Sequence, residues 1–197
     1  MMDEAPGEPA RRLFLALWPQ EAERNALADA TFEAVRAGGG RPVPARNLHV
    51  TLIFLGSVPE RRIQDVASVA RRVAAAFPSS AAPLLLTFDH IEYWRKPQVL
   101  CALADGQAAQ VHALAEALTK EAAGAGLNPD LKTSQWVGDL TIVEFQPHVT
   151  LARKVKRRIA QTPIPPVTWS CGDFALIQSQ TLPTGSVYTV LERYPLS

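Results

Sequence analysis

The chain has 197 residues, 47% of them apolar and 20% charged, with a formal net charge of +1. That length suits one domain or two small lobes over a shared core, and the composition argues against disorder. A balanced charge gives no global pull toward nucleic acid or membrane, so any anion-binding surface has to be local. Cys101 and Cys171 stand far apart in apolar surroundings and read as buried free thiols, not as a disulfide or a metal site. No apolar run approaches the roughly 18–20 residues a membrane span needs, and MMDEAPGEPARR at the start holds no apolar signal region, so a cytoplasmic protein is expected.

Residues 1–10 read as a disordered tail, leaving residues 11–197 as a single domain. Arg12–Trp18 (RLFLALW) is a short apolar run bounded by Pro19 and suits a buried strand. Ala28, Thr31, Phe32 and Val35 then recur at helical spacing until the Gly38-Gly39-Gly40 run. Leu48–Leu55, closed by Gly56, is a second strand. Pro59 opens a helix whose apolar face is Ile63, Val66, Ala67, Ala70 and Val73. Leu84–Trp94 and Gln98–Ala104 form a hairpin around Arg95-Lys96-Pro97. Val111, Leu114, Ala115, Leu118 and Ala122 mark a third helix, and residues 127–146 read as irregular. Val149–Ala152, Cys171–Gln178 and Ser186–Tyr194 supply the remaining strands. Helices and strands alternate without a glycine-rich phosphate loop, which makes an α/β or α+β layout.

The most informative feature is internal. Leu48-His49-Val50-Thr51-Leu52 and Pro147-His148-Val149-Thr150-Leu151 share HVTL, the second copy 99 positions after the first. Side chains alternate along a strand, so each motif presents an imidazole and a hydroxyl on one face and apolar anchors on the other. Two histidines can hold opposite protonation states near neutral pH, one as acid and one as base. In-line displacement at phosphorus needs that pair, with hydroxyl donors on the non-bridging oxygens. Such a site requires no metal, and no Asp, Glu or Cys ligands cluster near either motif.

These residues resemble the two-histidine (2H) phosphoesterase superfamily, and within it the RNA 2′,3′-cyclic phosphodiesterases, also called 2′-5′ RNA ligases. The matching stretches are RLFLALWP at 12–19, NLHVTLIFLG at 47–56, WRKPQVL at 94–100, FQPHVTLAR at 145–153 and FALIQSQTLPTGSVYTVLERYPL at 174–196. The resemblance implies an α+β, bilobed fold, with two pseudo-symmetric lobes of antiparallel sheet, helices outside and a central cleft. It implies hydrolysis of an RNA 2′,3′-cyclic phosphate to a 2′-phosphate without metal or other cofactor, with 2′-5′ ligation as the reverse reaction. On that resemblance His49 is the proton donor, His148 the proton acceptor, and Thr51 and Thr150 bind phosphate. Arg153 matches an arginine that follows the second motif, although strict alternation sends it to the face opposite His148 unless a bulge re-aims it. Leu131–Glu144 is longer than the usual link and reads as a possible lid over the cleft.

Other residues carry two readings. The basic run 153–158 and Arg46 suit either RNA phosphates or a solvated surface. Trp94, Trp136 and Tyr93 suit either base stacking or the core. His90 and His112 lack a threonine partner and read as structural. The substrate is therefore RNA with a 2′,3′-cyclic end, or a small nucleotide carrying a cyclic phosphate, and a non-catalytic RNA- or nucleotide-binding module is the rival from another class. A monomer with no membrane partner is expected.

Overall fold

A computed structural model describes residues 8–77, 83–105, 108–129, 146–183 and 185–196. The strands among these are β1 (Ala10–Leu17), β2 (Arg41–Pro42), β3 (Val50–Pro59), β4 (Leu84–Trp94), β5 (Val99–Asp105), β6 (His148–Arg153), β7 (Thr162–Cys171), β8 (Asp173–Leu182) and β9 (Gly185–Pro195). The helices are α1 (Glu21–Gly38), α2 (Ile63–Ala76) and α3 (Ala108–Gly124). The strands form one sheet in the order β7-β4-β5-β6-β3-β1-β8-β9, with β2 added beside β6, and every pairing is antiparallel.

That order is two four-stranded halves, each with a His-x-Thr strand on its inner edge. They meet where β3 pairs with β6, Val50 opposite Val149. The expected bilobed α+β architecture is therefore present, with the two motifs side by side at its centre.

One face of the sheet carries the main core. Leu13, Leu15 and Leu17 of β1, Val50 and Leu52 of β3, and Val149 and Leu151 of β6 pack with Leu27 of α1, Val66 and Val73 of α2, and Val111 and Leu118 of α3. Each fully buried aliphatic side chain contributes about 1.5–3 kcal/mol of transfer free energy, so the apolar residues of both motifs anchor them firmly. All three helices cover this face, which leaves the histidines on the other.

Three expectations need correction. Thr162–Cys171 is a strand that the sequence reading missed because Pro163, Pro165 and Pro166 lie in it. Among the described residues it pairs only with β4, at the sheet edge, where a missing N–H costs no ladder bond. In α1 the buried residues are Leu27, Thr31 and Gly38, whereas Phe32 is 60% exposed. A Cβ on Gly38 would lie 3.2 Å from Val155, so the C-terminal end of α1 packs closely on the segment that follows β6. Tyr93 is half-buried and packs against the main core, which supports the core reading of that residue. Of the tail expected at 1–10, residues 1–7 lie outside the described residues, while Glu8 pairs with Arg61, the Pro9 carbonyl accepts from Glu60 N–H, and Ala10 begins β1. Trp136 and the Leu131–Glu144 segment also lie outside the described residues.

Candidate active site

Both motif histidines are held the same way. His49 Nδ1 lies 2.7 Å from the Asn47 carbonyl and His148 Nδ1 lies 2.8 Å from the Gln146 carbonyl. A carbonyl can only accept, so Nδ1 carries the hydrogen in each ring and Nε2 is left for chemistry. His49 Nε2 lies 3.1 Å from Thr51 Oγ1, the bond expected when the hydroxyl donates to a bare nitrogen. The Asn47 side chain donates to the Ser186 carbonyl at 2.9 Å, so the residue that orients His49 also ties this corner to β9.

The surroundings of the two rings differ. His49 is enclosed by Phe14 (centroids 5.0 Å apart), Trp18 (5.4 Å, stacked) and Tyr188 (5.4 Å, edge-on). Phe14, Ala16 and Trp18 alternate with the core leucines of β1 and form a second apolar cluster with Ala175 and Ile177, joined by Phe54 and Tyr188. Among the described residues His148 instead meets Trp94, with ring centroids 4.5 Å apart and the planes steeply inclined. Residues 13–18 of RLFLALW are buried as expected, but on two faces, and Phe14 and Trp18, four positions apart and opposite the leucines, are the only local sign of the aromatic wall.

Burial pushes the His49 imidazole down to about 4, opposed by the Asn47 hydrogen bond and helped by the charges of Arg153 and His148. Burial also lowers His148, opposed by the Gln146 bond and helped by Arg153. Both rings are thus neutral at pH 7 in the free protein.

Arg153 reaches the site because the strand bulges. Leu100 pairs with Ala152 and Cys101 with Thr150, which leaves Leu151 as the extra residue of β6. Leu151 and Ala152 are both buried, alternation slips by one, and Arg153 returns to the histidine face. The strict-alternation expectation is corrected, and the charge of Arg153 is felt at both imidazoles. Gly40 crosses so close to this point that a Cβ would lie 2.8 Å from the Arg153 carbonyl.

The remaining candidates fall outside the centre. Arg46 is exposed in the turn before the first motif, and Lys154, Lys156, Arg157 and Arg158 are exposed beyond β6. His90 shares the histidine face, with Leu103 between it and His148 in the strand ladder, and bonds Asp89 at 2.7 Å. His112 is half-buried on α3. Cys101 and Cys171 are buried free thiols, and no three potential metal ligands converge among the described residues. No described helix is long and apolar enough to cross a membrane.

Comparison with known proteins agrees with this geometry. The 2′-5′ RNA ligase superfamily matches residues 20–181. The RNA 2′,3′-cyclic phosphodiesterase of Thermus thermophilus is 33% identical over 194 residues, covering 94% of this chain and 90% of the relative. The Escherichia coli enzyme of the same name is 28% identical over 193 residues, covering 96% and 98%. A crystal structure of TT0787 of Thermus thermophilus superposes with a TM-score of 0.72 at 30% identity, over 94% of this chain and 97% of the other. E. coli LigT complexed with 3′-AMP gives 0.77 at 25% identity, over 96% and 99%. On its two anchored histidines, its paired lobes and these matches, the chain belongs to the 2′-5′ RNA ligase superfamily.

Proposed function

We propose that this protein hydrolyses the 2′,3′-cyclic phosphate at RNA ends to a 2′-phosphate, using its two imidazoles as acid and base. The observation that carries the reading is the juxtaposition of two identically anchored His-x-Thr pairs on strands joined at Val50 and Val149. The relatives bearing the name RNA 2′,3′-cyclic phosphodiesterase supply the substrate class.

In the free protein both Nε2 atoms are bare. An incoming phosphodiester anion favours the imidazolium form, so His49 takes up a proton as substrate binds, and Thr51 turns its hydroxyl from Nε2 to a phosphoryl oxygen. His148 Nε2 accepts a proton from water as that oxygen bonds to phosphorus. The bond from phosphorus to O3′ breaks, and His49 protonates the departing oxygen. Thr51, Thr150 and Arg153 hold the non-bridging oxygens, where charge builds up. The donor and acceptor labels follow the family resemblance. The same displacement with a 5′-hydroxyl in place of water forms a P–O5′ bond as the P–O3′ bond breaks, which is 2′-5′ ligation.

The test is to incubate the purified protein with cyclic-ended oligonucleotides and mononucleotide 2′,3′-cyclic phosphates, with and without EDTA. The expected product is the 2′-phosphate, formed equally well in EDTA. Replacing either histidine by Ala lowers the rate by about 10²–10⁴-fold. Near wild-type turnover in either variant, or activity lost in EDTA and restored by a divalent ion, overturns the mechanism. A marked preference for the mononucleotides moves the substrate from RNA to small cyclic phosphates.

A further inference from the structure

The two lobes repeat more than HVTL. In β3, Ala16 pairs with Thr51 and Leu15 with Ile53, so Leu52 is an extra residue as Leu151 is in β6. Leu52 and Ile53 are both buried, and the next residue, Phe54, comes back to the histidine face. Phe54 therefore occupies in the first lobe the place that Arg153 occupies in the second, five residues after the motif histidine and past the same bulge.

A phenyl ring cannot replace a cation, but the neighbouring strand supplies one. The Arg12 guanidinium lies over the Phe54 ring, 4.7 Å from its centroid. Arg12 is exposed, and among the described residues it makes no ion pair. Its neighbour Arg11 points the other way and bonds Glu60 and Gln178. Arg12 stands two residues, about 7 Å of strand, from Phe14, the ring that touches His49. Phe14 and Phe54 are themselves register partners. The row His49, Phe14, Phe54, Arg12 thus leads outward from the reacting centre across the first lobe.

We infer that Arg12, held over Phe54, binds the backbone phosphate of RNA on the 5′ side of the terminal cyclic nucleotide, and so favours oligonucleotides over mononucleotides. An arginine stacked on a ring keeps its N–H edge free, and that fork matches two phosphate oxygens. A carboxylate partner would have claimed the fork, and none is present among the described residues. Because O3′ departs toward His49, the terminal ribose lies on the His49 side, and the preceding phosphate falls over Phe54 and Arg12. The inference rests on the proposed RNA cyclic phosphodiesterase activity.

The experiment compares the wild type with Arg12→Gln and Arg12→Lys on a cyclic-ended RNA oligonucleotide and on a mononucleotide 2′,3′-cyclic phosphate. Arg12→Gln is expected to lower kcat/KM about tenfold on the oligonucleotide, whatever its sequence, and less than twofold on the mononucleotide, with partial recovery in Arg12→Lys. Equal losses on both substrates, or no loss on either, overturn the assignment. Binding of the 2′-phosphate oligonucleotide at several salt concentrations is the second measurement, and its salt slope is expected to fall by about 0.7 in Arg12→Gln. An unchanged slope also overturns the assignment. A wild type inactive on every cyclic phosphate rejects the underlying activity instead, and the binding slopes still decide Arg12.

Discussion

Cys101 is the register partner of Thr150 across the β5–β6 ladder, so its buried side chain packs beside the Thr150 hydroxyl. Burial pushes the thiol up to about 12, opposed by the Thr150 hydroxyl, so it keeps its proton. A neutral thiol in this place sets no negative charge beside the phosphate that Thr150 is proposed to bind. Replacing Cys101 by Ala removes the side chain that holds Thr150 in place and is expected to lower kcat by about 2–10-fold with KM little changed. Cys101→Ser, which keeps a side chain of similar size there, is expected to recover most of the loss. A Cys101→Ala enzyme with wild-type kcat would show that Thr150 needs no such support.

The pH profile should separate free from substrate-bound enzyme. Turnover needs one imidazole charged and the other neutral, and kcat/KM reports the free protein. Both histidines lie below the ordinary imidazole value there, His49 at about 4. A bell in kcat/KM centred on the acid side of 6.5 is therefore expected. Bound phosphodiester raises the imidazole values, so the kcat bell should lie at higher pH. Coincident bells, or a kcat/KM maximum above pH 7, would contradict the burial that sets these values.

Arg153 lowers both imidazoles through its charge. Replacing it by Gln removes a cation, so both values rise and the kcat/KM bell shifts to higher pH. Loss of a charge-assisted contact to phosphate should also lower kcat/KM by about 10–100-fold. The two effects are separable, since the first appears in the shape of the profile and the second in its height. A large loss of rate with no displacement of the bell would mean that Arg153 stands farther from the histidines than the structure places it.

Asn47 joins the first motif to the far strand of its lobe. Its side-chain N–H₂ donates to the Ser186 carbonyl, and its own carbonyl accepts from His49 Nδ1. Asn47→Ala leaves a part-buried carbonyl without its donor, so a loss of about 1–3 kcal/mol in denaturant unfolding is expected. The activity is expected to fall through kcat, because His49 loses its fixed aim. Unfolding unaffected by the substitution would remove Asn47 from the site's support.

What the sequence reveals and conceals here follows from which interactions are local. HVTL is legible because alternation within one strand puts His and Thr together, and Val149 and Leu151 in the core need no knowledge of their neighbours. Arg153 was ambiguous because a bulge is a property of two strands, visible only when Leu100 and Cys101 are seen to straddle Leu151. The strand Thr162–Cys171 was hidden by its prolines, which are tolerable only at an edge, and edge position is again a fact about the whole sheet. Phe32 misled for a similar reason. Helical spacing marks the stripe, but which edge of it is buried, Leu27, Thr31 and Gly38 and not Phe32, depends on what packs against the helix. The aromatic wall around His49 takes its third ring, Tyr188, from β9, some 140 residues along the chain, and no local pattern announces that ring.

Burial of His49 also sets how the fold responds to acid. Its imidazole is depressed to about 4 in the folded protein, against 6.5 as its ordinary value. Between those values the unfolded chain binds a proton that the folded one refuses, so this contribution to stability is present above pH 6.5 and lost as pH falls toward 4. By linkage, His49 alone accounts for about 2 kcal/mol of stability lost between pH 7 and pH 5. His148, lowered for the same cause, adds in the same direction. In His49→Gln the titrating group is gone while an amide remains in its place. The difference in unfolding free energy between pH 7 and pH 5, measured by urea titration, should therefore shrink by about 2 kcal/mol relative to the wild type. The same difference in both proteins would mean that His49 titrates normally, and the neutral resting state of its Nε2, on which proton uptake with substrate depends, would fall with it.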